Sequence, residues 1–187
     1  MLYHQGTRIL ESERIFLRPF QPGDGKAMFA NWAADAKTVD LLLWDLYQSE
    51  EETERRVRQW AAQYDGETFY HWAILLKVSN APIGSISVAR LDELCETAEV
   101  GYCIGSRWWR EGYTTEALGL VVNYLFGEVG FHRLEARHAA ENVASHKVQL
   151  KVGMLQEGVL RGGYKNKDGS FSDLIVTGIT REDWEVM

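Results

Sequence analysis

Apolar and polar positions along this chain repeat with two alternating periods. Residues 14–20 (RIFLRPF) alternate enough to predict a first strand, and Pro22, Gly23 and Asp24 mark a turn after it. A helix is expected over 25–34, with Ala27, Phe29, Ala30 and Ala33 free to pack. A second helix opens at Ser49, three residues before Glu52, the spacing of a capping box. It carries Val57, Trp60, Ala61 and Tyr64 on one face. Residues 69–77 are apolar and aromatic, 79–82 (SNAP) read as a hairpin turn, and 83–91 return as a strand. A third strand is expected over 95–105.

An Arg- and Gly-rich loop follows, then a helix from Thr114 with Ala117, Leu118, Val121, Val122, Leu125 and Phe126 on one stripe. Residues 131–139 alternate as a strand. Asn142 starts a short helix, and Gly153 is placed to stop it. The tail alternates on both sides of NKDG, as a hairpin does. The order β-α-α-β-β-β-α-β-α-β-β predicts an α/β fold, a mixed sheet with helices on its faces. No repeat or linker interrupts it, so one domain over residues 1–187 is expected.

Composition narrows the partners. A formal charge of −7 disfavours broad nucleic-acid binding, which needs basic surface, and suits a cationic partner. No apolar run approaches the roughly 20 residues that span a membrane, and the first residues lack a signal-peptide core, so a cytoplasmic location is expected. Cys95 and Cys103 form no CxxC pair and no His cluster joins them, so reduced thiols and no metal are expected.

The densest chemistry lies in 100–118, VGYCIGSRWWREGYTTEAL. A helix start leaves backbone N–H groups unpaired and carries partial positive charge, which an anion can satisfy. Gly112 allows close approach of a ligand, and Arg107 and Arg110 can add charge-assisted contacts to phosphate. An ordinary surface loop before a solvent-capped helix fits the same pattern. The loop has neither GxxxxGK[ST] nor GxGxxG, which argues against nucleoside triphosphates and dinucleotides.

RWWREGYTTEAL resembles the acetyl-CoA pyrophosphate loop of GNAT-superfamily N-acetyltransferases, in particular the RimJ/RimL-like branch. The resemblance extends in order along nearly the whole chain: RIFLRPFQPGD to that branch's opening strand and turn, AEVGYCIG to its central strand, ENVASHKVQLKVGM to its later helix, and EGVLRGGYKNKDGSFSDLIVTGITREDW to its closing hairpin. Two departures stand out, one in the loop and one in the core. Trp109 and Thr114 stand at the ends of the superfamily's (Q/R)-x-x-G-x-(G/A) pattern, and Met154 replaces a usual Phe, a change of core packing.

The resemblance implies a GNAT fold and an acyltransferase that moves an acetyl group from acetyl-CoA to a primary amine. The amine would sit on a protein N-terminus of the ribosomal-protein type, or on a small molecule such as a polyamine or aminoglycoside. A non-catalytic acyl-CoA-binding module is the alternative of another class. The protein would act as a monomer or homodimer, without nucleic acid or membrane. By resemblance, main-chain groups of Cys103 and Ile104 would pair with pantetheine where the central strand and its neighbour splay apart, and Arg110, Glu111, Gly112, Tyr113, Thr114 and Thr115 would hold the pyrophosphate. Asn142 would contact the pantetheine arm and Lys147 a cofactor phosphate. Glu99 would take the amine's proton, its basicity raised by apolar surroundings, and Ser145 would protonate the leaving thiolate.

Plainer roles fit some of these residues. Asn142 is a good N-cap and Ser145 a polar first-turn residue, while Glu99 can sit in a salt bridge or face solvent. His71 is a reserve base among the scattered His71, His132, His138 and His146. Trp44, Trp60 and Trp72 read as core or pocket wall, and Asp45, Glu50, Glu51 and Glu52 as solvated helix-end charges or the lining of a cleft for cations. Residues 34–70 would form the acceptor region.

Overall fold

A computed structural model describes residues 1–40 and 42–187. The expected strands are β2 (Ile15–Arg18), β3 (His71–Leu76), β4 (Ala81–Asp92), β5 (Thr97–Ile104), β6 (Arg133–Ala139), β7 (Leu155–Lys165) and β8 (Phe171–Thr180), with a short β1 (Leu10–Glu11) added. They form an eight-stranded mixed sheet in the order β1-β2-β3-β4-β5-β6-β8-β7. The β5–β6 pairing is parallel, and α4 (Tyr113–Tyr124) lies between these strands in the chain, the crossover that parallel neighbours require.

Contacts divide the chain into two compact units, and β4, β5 and α4 each run through both. One unit comprises His4–Ser87 and Tyr102–Leu120. It holds α1 (Asp24–Met28), α2 (Ala36–Val39) and α3 (Glu50–Ala61). Its core gathers Phe20, Met28, Trp32, Ala33, Val57, Ala73 and Leu75; each large side chain buried this way contributes about 2 kcal/mol. Gly25 lets α1 press on α3: a Cβ there would lie 2.4 Å from the Glu54 Cα. Arg18 forks onto Asp24 at 2.7 and 2.9 Å and fixes the turn between β2 and α1.

The expected helix over 25–34 becomes two pieces, α1 and a π-helical turn, Phe29–Ala33. Asp35 then caps the short α2 by accepting from the Lys37 N–H. Ser49 caps α3 as expected, but the Glu52 carboxylate accepts from the Gln48 N–H, so the box does not close on Ser49 itself.

The other unit comprises Met1–Tyr3, Val88–Gly101 and Val121–Met187. It holds α5 (Val143–Lys151) and a short final helix, α6 (Arg181–Glu185), capped by a Thr180–Asp183 box. Leu125, Phe126, Phe131, Leu134, Ala136, Met154 and Ile179 are buried in it, and Trp184 stacks on Phe126. Gly153 stops α5 with φ +86.

Candidate active site

The loop after β5 is held in place from several sides. Gly105 follows β5 against the Asn31 carbonyl, where a Cβ would come within 2.0 Å of the oxygen. The next residue, Ser106, donates its N–H to Asp35 Oδ2 at 2.9 Å, and the Thr38 hydroxyl donates to the same oxygen at 2.7 Å. Burial opposes the Asp35 charge, but these bonds outweigh it and hold the carboxyl down at about 2. Arg107 lies 4.0 Å over the Trp108 ring and donates to Asn31 Oδ1, so its guanidinium is engaged within the fold. Trp109 donates its indole N–H to the Ile104 carbonyl at 2.9 Å, and the Thr38 hydroxyl lies 3.4 Å from that oxygen. Cys103 Sγ meets Ser85 Oγ at 3.4 Å, and enclosure pushes its thiol up, away from the nucleophilic thiolate.

Next comes a reversal of backbone hand. Arg110 has φ +68 and Gly112 φ +86, on either side of Glu111. Alternation of hand turns successive N–H groups to one side and makes a concavity for an anion. A left-handed Arg costs about 1 kcal/mol, strain of the kind that collects at functional loops. At Gly112 the chain enters α4: its carbonyl accepts the Glu116 N–H at 3.0 Å. The N–H groups of Tyr113, Thr114 and Thr115 therefore have no acceptor inside the helix. Arg110, Glu111 and Gly112 are exposed and Tyr113, Thr114 and Thr115 half-buried, so this row of donors starts beside an exposed turn at the positive end of a helix.

Two residues that pattern reading passed over brace the loop. Arg14 donates to the Glu111 carbonyl at 3.0 Å and to Glu116 Oε2 from Nε and Nη2 at 2.9 and 2.6 Å. Its guanidinium also lies 4.7 Å over the Tyr113 ring. Ser12 donates to the same Glu116 carboxylate. Partial burial works against the Glu116 charge, and the bonds from Ser12 and Arg14 overcome it and lower its carboxyl.

In the other unit, Glu99 lies on β5 opposite Glu135 on β6. Its Oε2 is 3.4 Å from Arg90 Nε and 3.3 Å from Arg137 Nε. Glu135 is shared by Arg90, Arg137 and Arg133, and Arg133 continues to Glu157. The apolar surroundings expected of Glu99 are thus replaced by a ladder of three arginines and three glutamates. Alternation along β6 explains it, since Arg133, Glu135 and Arg137 all project from one face.

The opposite face of β6 carries His138, whose ring centroid is 5.2 Å from that of His146 on α5. Burial first, then His146, lower His138, while Gln149 works the other way. The Asn142 side chain accepts from the Ser145 N–H at 3.1 Å and so acts as the cap of α5. Ser145 is half-buried and Lys147 exposed. Glu99 and α5 consequently lie on opposite faces of the β5–β6 pair. The parallel pairing ends at Glu99–Glu135, although β5 continues to Ile104 and β6 to Ala139.

Comparison with known proteins joins these observations. A family model described as an acetyltransferase (GNAT) domain matches residues 14–155. The chain belongs to the GNAT acetyltransferase family. The uncharacterized N-acetyltransferase YoaA of Bacillus subtilis (strain 168) is 32% identical to this GNAT enzyme over 92% of this chain and 97% of its own. The [ribosomal protein uS5]-alanine N-acetyltransferase of Shigella flexneri is 31% identical over 46% of this chain and 43% of its own. A solved structure of the microcin C7 self-immunity acetyltransferase MccE, in complex with acetyl-CoA and AMP, shares the fold: TM-score 0.79 over 90% of this chain and 93% of that one, at 18% identity.

Within this GNAT enzyme, Cys103, Ile104 and the residues from Arg110 to Thr115 follow one another from β5 into α4, whereas Glu99, Asn142, Ser145 and Lys147 belong to the other unit. His71, the reserve base, is enclosed by the rings of Phe20, Trp60 and Phe69, and burial drives it down to about 3. An imidazole held neutral this firmly belongs to the aromatic core. Among the described residues no cluster of three or more His, Cys, Asp or Glu is placed to hold a metal ion, and no helix is long and apolar enough to cross a membrane.

Proposed function

We propose that this GNAT acetyltransferase moves the acetyl group of acetyl-CoA to a primary amine by direct attack. The observation that carries the reading is the left-handed pair Arg110 and Gly112 set against the open start of α4. Backbone donors at Gly112, Tyr113, Thr114 and Thr115 suit a diphosphate, with Arg110 and Glu111 completing the turn. Cys103 and Ile104 offer main chain to the pantetheine, although the Ile104 carbonyl already accepts from Trp109. Asn142 and Lys147 contact the pantetheine arm and a phosphate. The family and the acetyl-CoA complex of MccE support the same donor.

In the reaction an ammonium proton passes to the Glu99 carboxylate, directly or through water. The freed lone pair attacks the thioester carbonyl, and collapse of the tetrahedral adduct expels the CoA thiolate. Ser145 donates its hydroxyl proton to that sulfur as it leaves and regains one from the acylated nitrogen, which sheds its second proton to give the neutral amide; no acyl-enzyme forms. The ladder of arginines fixes the Glu99 carboxylate in place.

The acceptor is a protein N-terminal amine, as the named activity of the uS5-alanine relative suggests. The protein acts in the cytoplasm. An acceptor panel tests this: peptides with a free N-terminal Ala or Ser, a polyamine and an aminoglycoside, followed by CoA release. Turnover on peptides is expected. Turnover confined to the small amines would reassign the acceptor, and CoA binding without turnover on any amine would reduce the protein to a binding module.

A further inference from the structure

We infer that Arg14 is a positioning residue for the diphosphate-binding loop. It acts by fixing the direction of one peptide N–H, without touching the anion itself. This rests on the acetyl-CoA reading above.

All three nitrogens of the Arg14 guanidinium donate to the loop or to the helix. Nη1 is given to the Glu111 carbonyl, and Nε and Nη2 to the Glu116 carboxylate. Glu116 also neutralises the charge, and the bond between them raises the Arg14 guanidinium further above its ordinary value. A guanidinium so engaged is a poor phosphate ligand. Its grip on the Glu111 carbonyl has another consequence. In a trans peptide the C=O and the following N–H point in opposite directions. Holding the Glu111 oxygen toward Arg14 therefore turns the Gly112 N–H away from Arg14, and that N–H belongs to the row of donors that runs on into α4.

The same guanidinium bonds to Glu116 in the first turn of the helix and covers the Tyr113 ring. Arg14 thus ties the left-handed turn to the helix start at three points, Glu111, Tyr113 and Glu116. Lysine keeps the charge but has no fork and cannot serve the carbonyl and the carboxylate together.

The test compares two acetyl donors, acetyl-CoA and S-acetylpantetheine, which lacks the diphosphate, with the enzyme variants Arg14→Lys and Arg14→Gln. Loss of an oriented, charge-assisted contact is expected to lower the preference for acetyl-CoA over S-acetylpantetheine about tenfold. The loss should appear in KM for acetyl-CoA more than in kcat, with Lys less affected than Gln. Both variants are checked by thermal melting; if Gln fails to fold, Lys carries the comparison. An equal loss on both donors would make Arg14 a general structural residue and overturn the inference, as would an unchanged preference. If the unmodified enzyme itself shows no preference for acetyl-CoA, the acetyl-CoA reading falls and this inference falls with it. A preferring enzyme with indifferent Arg14 variants refutes the inference alone.

Discussion

Replacing Gly112 by Ala isolates the backbone conformation of the loop from its contacts. At φ +86 an L-residue carries about 1–2 kcal/mol of strain that glycine does not. The added Cβ would find only Arg14 Nη2, at 3.4 Å, so little steric repulsion is added to the strain. Arg14 holds the carbonyl of Glu111 and the side chains of Tyr113 and Glu116, but nothing beyond Arg14 Nη2 confines Gly112 itself, so in the free protein its φ can ease while those bonds hold, and the full strain returns only when an anion requires the left-handed turn. The affinity for CoA should then fall about 5- to 30-fold, while the melting temperature stays nearly constant. Isothermal titration with CoA and a thermal melt measure the two quantities. Gly119, on α4 without positive φ and with nothing within 4 Å of its added Cβ, is the control. Its change to Ala should leave CoA affinity alone and stabilise the helix by about 0.5–1 kcal/mol. A Gly112→Ala enzyme that binds CoA as tightly as the original would refute the left-handed turn as the source of binding.

Glu99→Gln should lower turnover about 10²- to 10⁴-fold near neutral pH, with the deficit shrinking at high pH, where the amine arrives unprotonated; a pH-independent loss would remove Glu99 as base. Gly105→Ala should destabilise the protein by about 2 kcal/mol or more, since its Cβ would stand 2.0 Å from the Asn31 oxygen; an unshifted denaturation midpoint contradicts it. His71 titrates near 3 when folded and near 6.5 when unfolded, so the unfolded chain takes up the proton first and stability is lost as pH falls from 6.5 toward 3. The slope from this group is about 1.4 kcal/mol per pH unit, and His71→Phe should remove it from the pH dependence of urea unfolding.

The sequence pattern carries most of this fold because its strands alternate against one buried face and its helices are opened by good caps. Ser49, Asn142 and Gly153 all stand where the chain enters or leaves a helix. What escaped the pattern is short or long-range. Four residues of α2 make too little periodicity to see. The strand alternation of β8 runs into Thr180 and hides the cap of α6. A left-handed Arg110 has no signature in residue type, as a glycine has. Arg14 meets Glu111 and Glu116 across about a hundred residues of chain, and only the folded arrangement of β2 and α4 brings them together. The salt-bridged surroundings of Glu99 likewise come from a distant part of the chain. Its own strand is apolar, but the parallel register with β6 sets Glu135 opposite it and Arg137 beside it.

Amide chemical shifts of the ¹⁵N-labelled protein, followed during titration with CoA, probe the grip of the loop on the donor most directly. The Gly112, Tyr113, Thr114 and Thr115 amides should shift furthest downfield, and inorganic pyrophosphate should move the same four in the same direction. Saturation with CoA that leaves these four amides in place would contradict that grip.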